Sequence, residues 1–221
     1  MYKKLGLCAL TLLAFGCQSN KQEEITRFHE DGRAKPTVVL VPMIDSTSYD
    51  IPWSLSDEFL SLVQNDIEQL GELYLLPKEE YESAKTKGES PFATDLGWIK
   101  EAFASNEFIV FTEMVEHADI PANLQNNEMG SLADFQETSY NLNMKLRVRI
   151  IDNRGARPKV ILQEYITNSY FVPKNLIRSD YNKVIFGTTE YNSTPMSIAH
   201  TVLASELVKR ISDYILLAKS R

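Results

Sequence analysis

Few side chains in this 221-residue sequence have a type and spacing suited to chemistry. Cys8 and Cys17 are its two thiols, and His29, His117 and His200 are its three histidines. No pair of these histidines stands at a metal-ligand spacing, so no metal site is expected. The chain has no G-x-S-x-G turn, no glycine-rich phosphate loop and no H-E-x-x-H helix. Ser46, His200 and Asp45 could assemble a hydrolytic triad only through the fold, and chance supplies such trios readily. The expectation is therefore no catalytic residue and no cofactor. Chemistry is expected at one place, the Gly16-Cys17 step.

The elements around Cys17 carry that expectation. Lys3 and Lys4 form a positive start, and Leu5 to Phe15 is an apolar run of eleven residues. Eleven residues are too few to span a hydrocarbon core of about 30 Å as a helix. The order of charge, apolar run and small residue is that of a secretory signal, cut between Gly16 and Cys17. Cleavage discards Cys8 and leaves Cys17 as the only thiol, which excludes an internal disulfide. A plain cleaved signal with a chance cysteine is the simpler alternative. If the sulfur carries a diacylglycerol and the amine a third acyl chain such as palmitate, the protein is stably anchored, because one chain alone holds only marginally.

The mature chain is acidic. Its formal net charge of −7 becomes −9 once Lys3 and Lys4 are removed, and the sequence pI is about 5.1. That balance excludes a general affinity for nucleic acid. Residues 17–35 follow as a polar tether, with Ile25 and Phe28 as its sizeable apolar residues. Such a segment cannot build a core, and its root-mean-square span is roughly 25 Å.

Residues 36–221 are expected to form one α+β domain. Thr37–Val41 reads as a strand buried on both faces. Ser54 then caps a helix that Gly71 closes, and Leu73–Leu76 is a second strand. That order predicts a βαβ unit with parallel strands. A charged helix from Pro77 to about Lys87, a helix from about Pro91 to Ala104 and a strand over Glu107–Val115 follow. His117–Ser139 reads as a long loop, of the kind that is functional or mobile. From Leu142 to Ile151 an apolar face alternates with a mostly basic one made of Asn143, Lys145, Arg147, Arg149 and Ile151, Asp152–Gly155 is a turn, and Val160–Phe171 returns antiparallel. Pro173–Ser193 is expected to hold a short helix or extended segment. Thr194 and Pro195 start a final helix with Met196, Leu203, Leu207, Ile211 and Tyr214 facing the core.

Two features on these elements bear on function. Lys145, Arg147 and Arg149 line one face of the alternating strand. They are either a solvated face paired to Glu164 across the hairpin, or a binding face for an acidic partner or an anionic membrane surface. His200 falls inside the apolar stripe of the last helix, near its positive end. Both burial and the helix end disfavour the imidazolium there, so a neutral core histidine with a hydrogen-bonded partner is expected.

The segment Leu13-Ala14-Phe15-Gly16-Cys17 resembles a lipobox, with Phe15 bulkier than usual two residues before the cysteine. The VVLVPM strand, the EFIVFTEM strand and the RVRIID strand with its glycine turn resemble a known α/β domain. That domain occurs in the curli-secretion lipoprotein, in lipoprotein activators of penicillin-binding proteins and in the N-terminal domain of the Tol-Pal periplasmic protein. The whole chain is also similar to an uncharacterised lipoprotein of the chlamydiae. These resemblances imply a single mixed sheet with an N-terminal βαβ unit, a C-terminal antiparallel hairpin and packing helices. They also imply a non-enzymatic envelope lipoprotein that docks another envelope protein or itself, and they transfer no catalytic residue. The alternatives are a subunit of an oligomeric secretion assembly and an envelope hydrolase. Gln18 stands where aspartate retains lipoproteins in the inner membrane of some bacteria, so the outer membrane, with the domain facing the periplasm, is the expected location.

Overall fold

Thr37–Leu40 forms strand β1, closed on both sides: Val38 and Leu40 join one core and Val39 the other. The computed structural model describes residues 27–77, 90–122, 139–173 and 181–221. Helix α1 spans Leu55–Leu70. Ser54 Oγ accepts the Asp57 N–H at 3.1 Å, and Gly71 adopts φ 68° to return its N–H to the Ile67 carbonyl. Only a residue without a Cβ takes that left-handed turn at no steric cost. The chain then enters β3, Tyr74–Leu75, parallel to β1. The expected βαβ unit is therefore present.

The rest of the sheet is built on β4, Phe108–Pro121, which lies parallel beside β1 and also pairs with the two-residue β2, Ile44–Asp45. Strands β5, Tyr140–Asp152, and β6, Lys159–Val172, continue antiparallel from it. The order β3-β1-β4-β5-β6 makes one mixed sheet of the α+β class. Helix α2 spans Gly97–Ala102, a 3₁₀ turn spans Tyr181–Lys183, and α3 spans Thr189–Asn192. The last helix, α4, spans Pro195–Lys219, with Thr194 Oγ1 accepting the Ser197 N–H at 3.1 Å and Pro195 in the first turn, as expected.

Helices α1 and α4 run parallel across one face of the sheet. Phe59, Val63 and Ile67 pack there with Leu203, Leu207 and Ile211 over Val110, Met114, Leu146 and Ile150. A smaller core on the opposite face sets Ile99 and Phe103 against Val39, Ile109, Phe111 and Ile151.

Three expectations are corrected. The third strand does not stop at Val115 but runs to Pro121, so His117–Pro121 is strand rather than loop; residues 123–138 lie outside the described residues. Its continuation is held by pairing from His117↔Met144 to Pro121↔Tyr140. The helix expected over Pro91–Ala104 shortens to Gly97–Ala102. The guanidinium of Arg149 takes the carbonyls of Pro91, Phe92 and Ala93, which a helix would need for itself. Glu164 does not face Arg147 and Arg149. It stands opposite Val148 on the helix side and pairs with Arg210 at 3.6 Å, because the side-chain period of a strand is two. The charged helix expected up to Lys87 falls on residues 78–89, outside those described, as do Gly16 and Cys17.

Ile150 is fully enclosed between the sheet and α4. Ile150→Ala leaves a void there and is expected to cost about 2–5 kcal/mol of stability. Urea unfolding at pH 7 measures this; a loss below about 1 kcal/mol contradicts the packing described.

Candidate functional site

The one concentration of buried titratable groups among the described residues lies where the N-terminal ends of α1 and α4 meet. It begins with a break in β4. Up to Met114, the even-numbered residues of β4 face α1 and α4. A bulge between Met114 and Glu116 adds Val115 and reverses that phase. His117 therefore lands opposite Met144, on the helix-covered side of the sheet. Without the bulge it would face the other way, with Ile109 and Phe111.

Glu58 lies at the start of α1 in the same layer, wholly buried. Three donors converge on its carboxylate. Trp53 Nε1–H donates to Oε2 at 2.6 Å, and the Tyr191 hydroxyl donates to Oε1. His200 Nδ1 meets the same Oε1 at 2.5 Å. The indole can only donate, and burial beside Glu58 raises the Tyr191 phenol so that it keeps its proton. The carboxylate is thus the acceptor, and His200 carries a proton on Nδ1. The other edge of His200 meets His117, Nε2 to Nε2, at 2.7 Å, which places one proton between the two rings. Burial, and next the neighbouring His200, hold His117 down to about 3, so it is neutral at physiological pH. Its Nδ1 has no hydrogen-bond partner among the described residues.

Aromatic rings surround this core. Tyr49 packs edge-on to His117 with centroids 4.0 Å apart, and its hydroxyl donates to Asp119 Oδ2 at 2.9 Å. Burial raises both the Tyr49 phenol and the Asp119 carboxyl. Tyr140 and Tyr181 hydrogen-bond to each other in the same layer, and burial raises both phenols. Trp53 stands edge-on to Tyr191 at 5.5 Å.

A Glu-His pair with a tyrosine has the ingredients of general acid–base chemistry. Here, however, Glu58 and His200 are both 0% exposed, so neither side chain meets solvent in this structure. What the arrangement does is tie α1, α3, α4 and β4 together through one carboxylate. Ser46 and Asp45 take no part. Ser46 Oγ donates to Glu113 at 2.8 Å, and Asp45 accepts from Thr47.

The basic row on β5 divides into three environments. Arg149 is 6% exposed, and besides the three carbonyls it donates to Gln163 Oε1 at 2.6 Å. Arg147 lies over the Phe92 ring at 4.1 Å and pairs with Glu113 at 3.4 Å. Lys145 lies over the exposed Tyr165 ring at 4.7 Å. Arg149 therefore fastens the chain ahead of α2, whereas Arg147 and Lys145 are both half-buried.

Fold and site together define a six-stranded α+β domain with a sealed polar centre. The chain belongs to DUF7499, a family of unknown function, whose model matches residues 24–219. Among solved structures it is similar to the hypothetical protein CT253 from Chlamydia trachomatis. The identity is 22%, the TM-score 0.63, and the match covers 82% of this chain and 98% of that one. It is also similar to lipoprotein GNA1162 from Neisseria meningitidis, at 14% identity and TM-score 0.42 over 80% and 99% of the two chains. The PelC dodecamer from Paraburkholderia phytofirmans matches at 12% identity and TM-score 0.40 over 78% and 84%. No curated protein matches the chain. The likeness to the chlamydial protein is one of fold.

The neutral His117 makes stability depend on pH. Its folded value, about 3, lies below the ordinary 6.5, so protonation favours the unfolded chain. Its contribution is complete above 6.5 and is lost progressively as pH falls towards 3. Between pH 7 and pH 4.5 the loss is expected to be on the order of 2 kcal/mol. Urea unfolding of the wild type and of His117→Gln at both pH values isolates this component. An equal pH loss in the two proteins contradicts it.

Proposed function

We propose that this protein is a non-enzymatic envelope lipoprotein, held on a membrane by lipid at Cys17, whose domain docks another envelope protein. The observation that carries the reading is the N-terminal order: Lys3 and Lys4, the apolar run to Phe15, then Gly16-Cys17. None of the helices among the described residues is long and apolar enough to cross a membrane, so in this reading the lipid supplies the anchor. The expected tether is shorter than residues 17–35: Phe28 pairs with Ala34 and the Lys35 N–H returns to the Arg27 carbonyl, so in this reading only the polar residues before Arg27 give the domain its short reach from that membrane.

Docking, rather than turnover, is favoured by the enclosure of Glu58 and His200. Surface remains for a partner. Strand β6 is the edge of the sheet, and Tyr165 and Phe171 stand out from it more than half exposed. Lys145, beside Tyr165, is the basic-row residue best placed to contribute to such a face. The outer membrane, with the domain in the periplasm, is the location proposed from Gln18.

Metabolic labelling with palmitate and fractionation test the anchor. The wild type should incorporate label and sediment with outer membrane through a high-salt wash. Cys17→Ser should lose the label and either fail to mature or move to the soluble fraction. A Cys17→Ser protein that stays on the membrane, or an unlabelled wild type, ends the lipoprotein reading.

A further inference from the structure

Towards their C-terminal ends α1 and α4 leave an open groove of about 730 Å³ between them. Val208 and Leu216 of α4 give it an apolar floor, and Leu70 of α1 stands at its edge, half exposed. Carboxylates surround that floor: Asp66 and Glu72 from the α1 side, and Asp213 from α4. Among the described residues the one cation lining the groove, Lys209, is paired with Asp213 at 2.9 Å. Asp66 accepts from Ser205 Oγ at 2.7 Å, which fixes its position and leaves its charge intact. The last turn of α1 holds no basic residue, so its carbonyl ends add negative potential beside Glu72.

Ser212 lines the groove and is 7% exposed, and its Oγ is buried with no hydrogen-bond partner among the described residues. The groove thus combines an apolar floor with a surplus of negative charge. Its size suits one long side chain with its apolar neighbours.

We propose that this groove receives a basic amphipathic segment of a partner envelope protein. A lysine or arginine of that segment reaches Asp66 and Glu72, and adjoining aliphatic residues cover Val208, Leu216 and Leu70. Electrostatics disfavours two other occupants. An anionic membrane surface is repelled by the rim, and a second mature copy of this chain carries the same net −9. The assignment rests on the docking reading above and names the surface and the partner chemistry.

Photo-crosslinking in cells that carry the full-length protein tests it. A photo-reactive phenylalanine analogue replaces Gln69, exposed at the groove, or Phe171, exposed on β6, in separate strains. The expected Gln69 adduct joins a segment of another envelope protein in which lysine or arginine stands next to aliphatic residues. Its yield should fall at least fivefold when Asp66→Asn, Glu72→Gln and Asp213→Asn are combined, at equal protein abundance. If that triple variant does not accumulate, Glu72→Gln alone should lower the yield at least twofold. No adduct at Gln69, an adduct only with a second copy, a neutral or acidic captured segment, or a yield indifferent to the charge changes each overturns the assignment. Envelope proteins captured at Phe171 but not at Gln69 leave the docking reading standing without the groove. Silence at both positions removes both.

Discussion

The buried carboxylate of Glu58 is the constraint on which the helical layer depends. An ionised carboxyl in a dry interior is costly unless donors surround it. Here they come from three separate pieces of chain: Trp53 ahead of α1, Tyr191 on α3 and His200 on α4. The directions of an indole N–H, a phenol and an imidazole N–H leave little freedom, so α3 and the start of α4 must sit where they do against α1. His117 extends the same chain of hydrogen bonds to the sheet. Whole buried polar networks replaced by apolar groups of equal shape are often no less stable, whereas removing one partner costs about 3–5 kcal/mol. The network therefore contributes alignment more than net stability. A slip of α4 by one residue along α1 would strand the carboxylate and both rings at once.

The elements that local signals define were legible in the sequence. Ser54 and Gly71 bracket α1, Thr194 and Pro195 open α4, and the alternation from Leu142 onward marks β5. The parts that escaped depend on contacts between distant residues. Strand β4 looked finished at Val115 because the bulge there interrupts the alternation that would have carried the reading to Pro121. The helix expected from Pro91 was shortened by Arg149, 58 residues away from Pro91 in sequence. His117 and His200 are 83 residues apart, and no spacing announces that they touch. Two signals did exist. His200 within an apolar stripe required a buried partner. Glu58 falls between Leu55, Phe59 and Leu62 on the apolar side of α1, where a carboxylate is out of place unless something awaits it.

The consequence for function is a division of labour across the molecule. The polar groups best suited to chemistry are enclosed where they hold the helices, and the groups open to solvent are suited to contact. Among the described residues these include the groove between the far ends of α1 and α4 and the aromatic residues on the outer face of β6. Arg149, a basic residue that might have served recognition, is occupied by three backbone carbonyls and a glutamine. A domain built this way presents surfaces around an enclosed polar centre. That agrees with a tethered docking role near a membrane.

A double-mutant cycle between Glu58 and His200 tests the central claim most directly. Glu58→Gln, His200→Asn and the combined variant are unfolded in urea at pH 7 beside the wild type. If the carboxylate and the imidazole act as one structural unit, the two losses are far from additive, with a coupling of at least about 1 kcal/mol. Losses that add to within about 0.5 kcal/mol would mean that the two groups act independently, and the helical layer would need a different explanation.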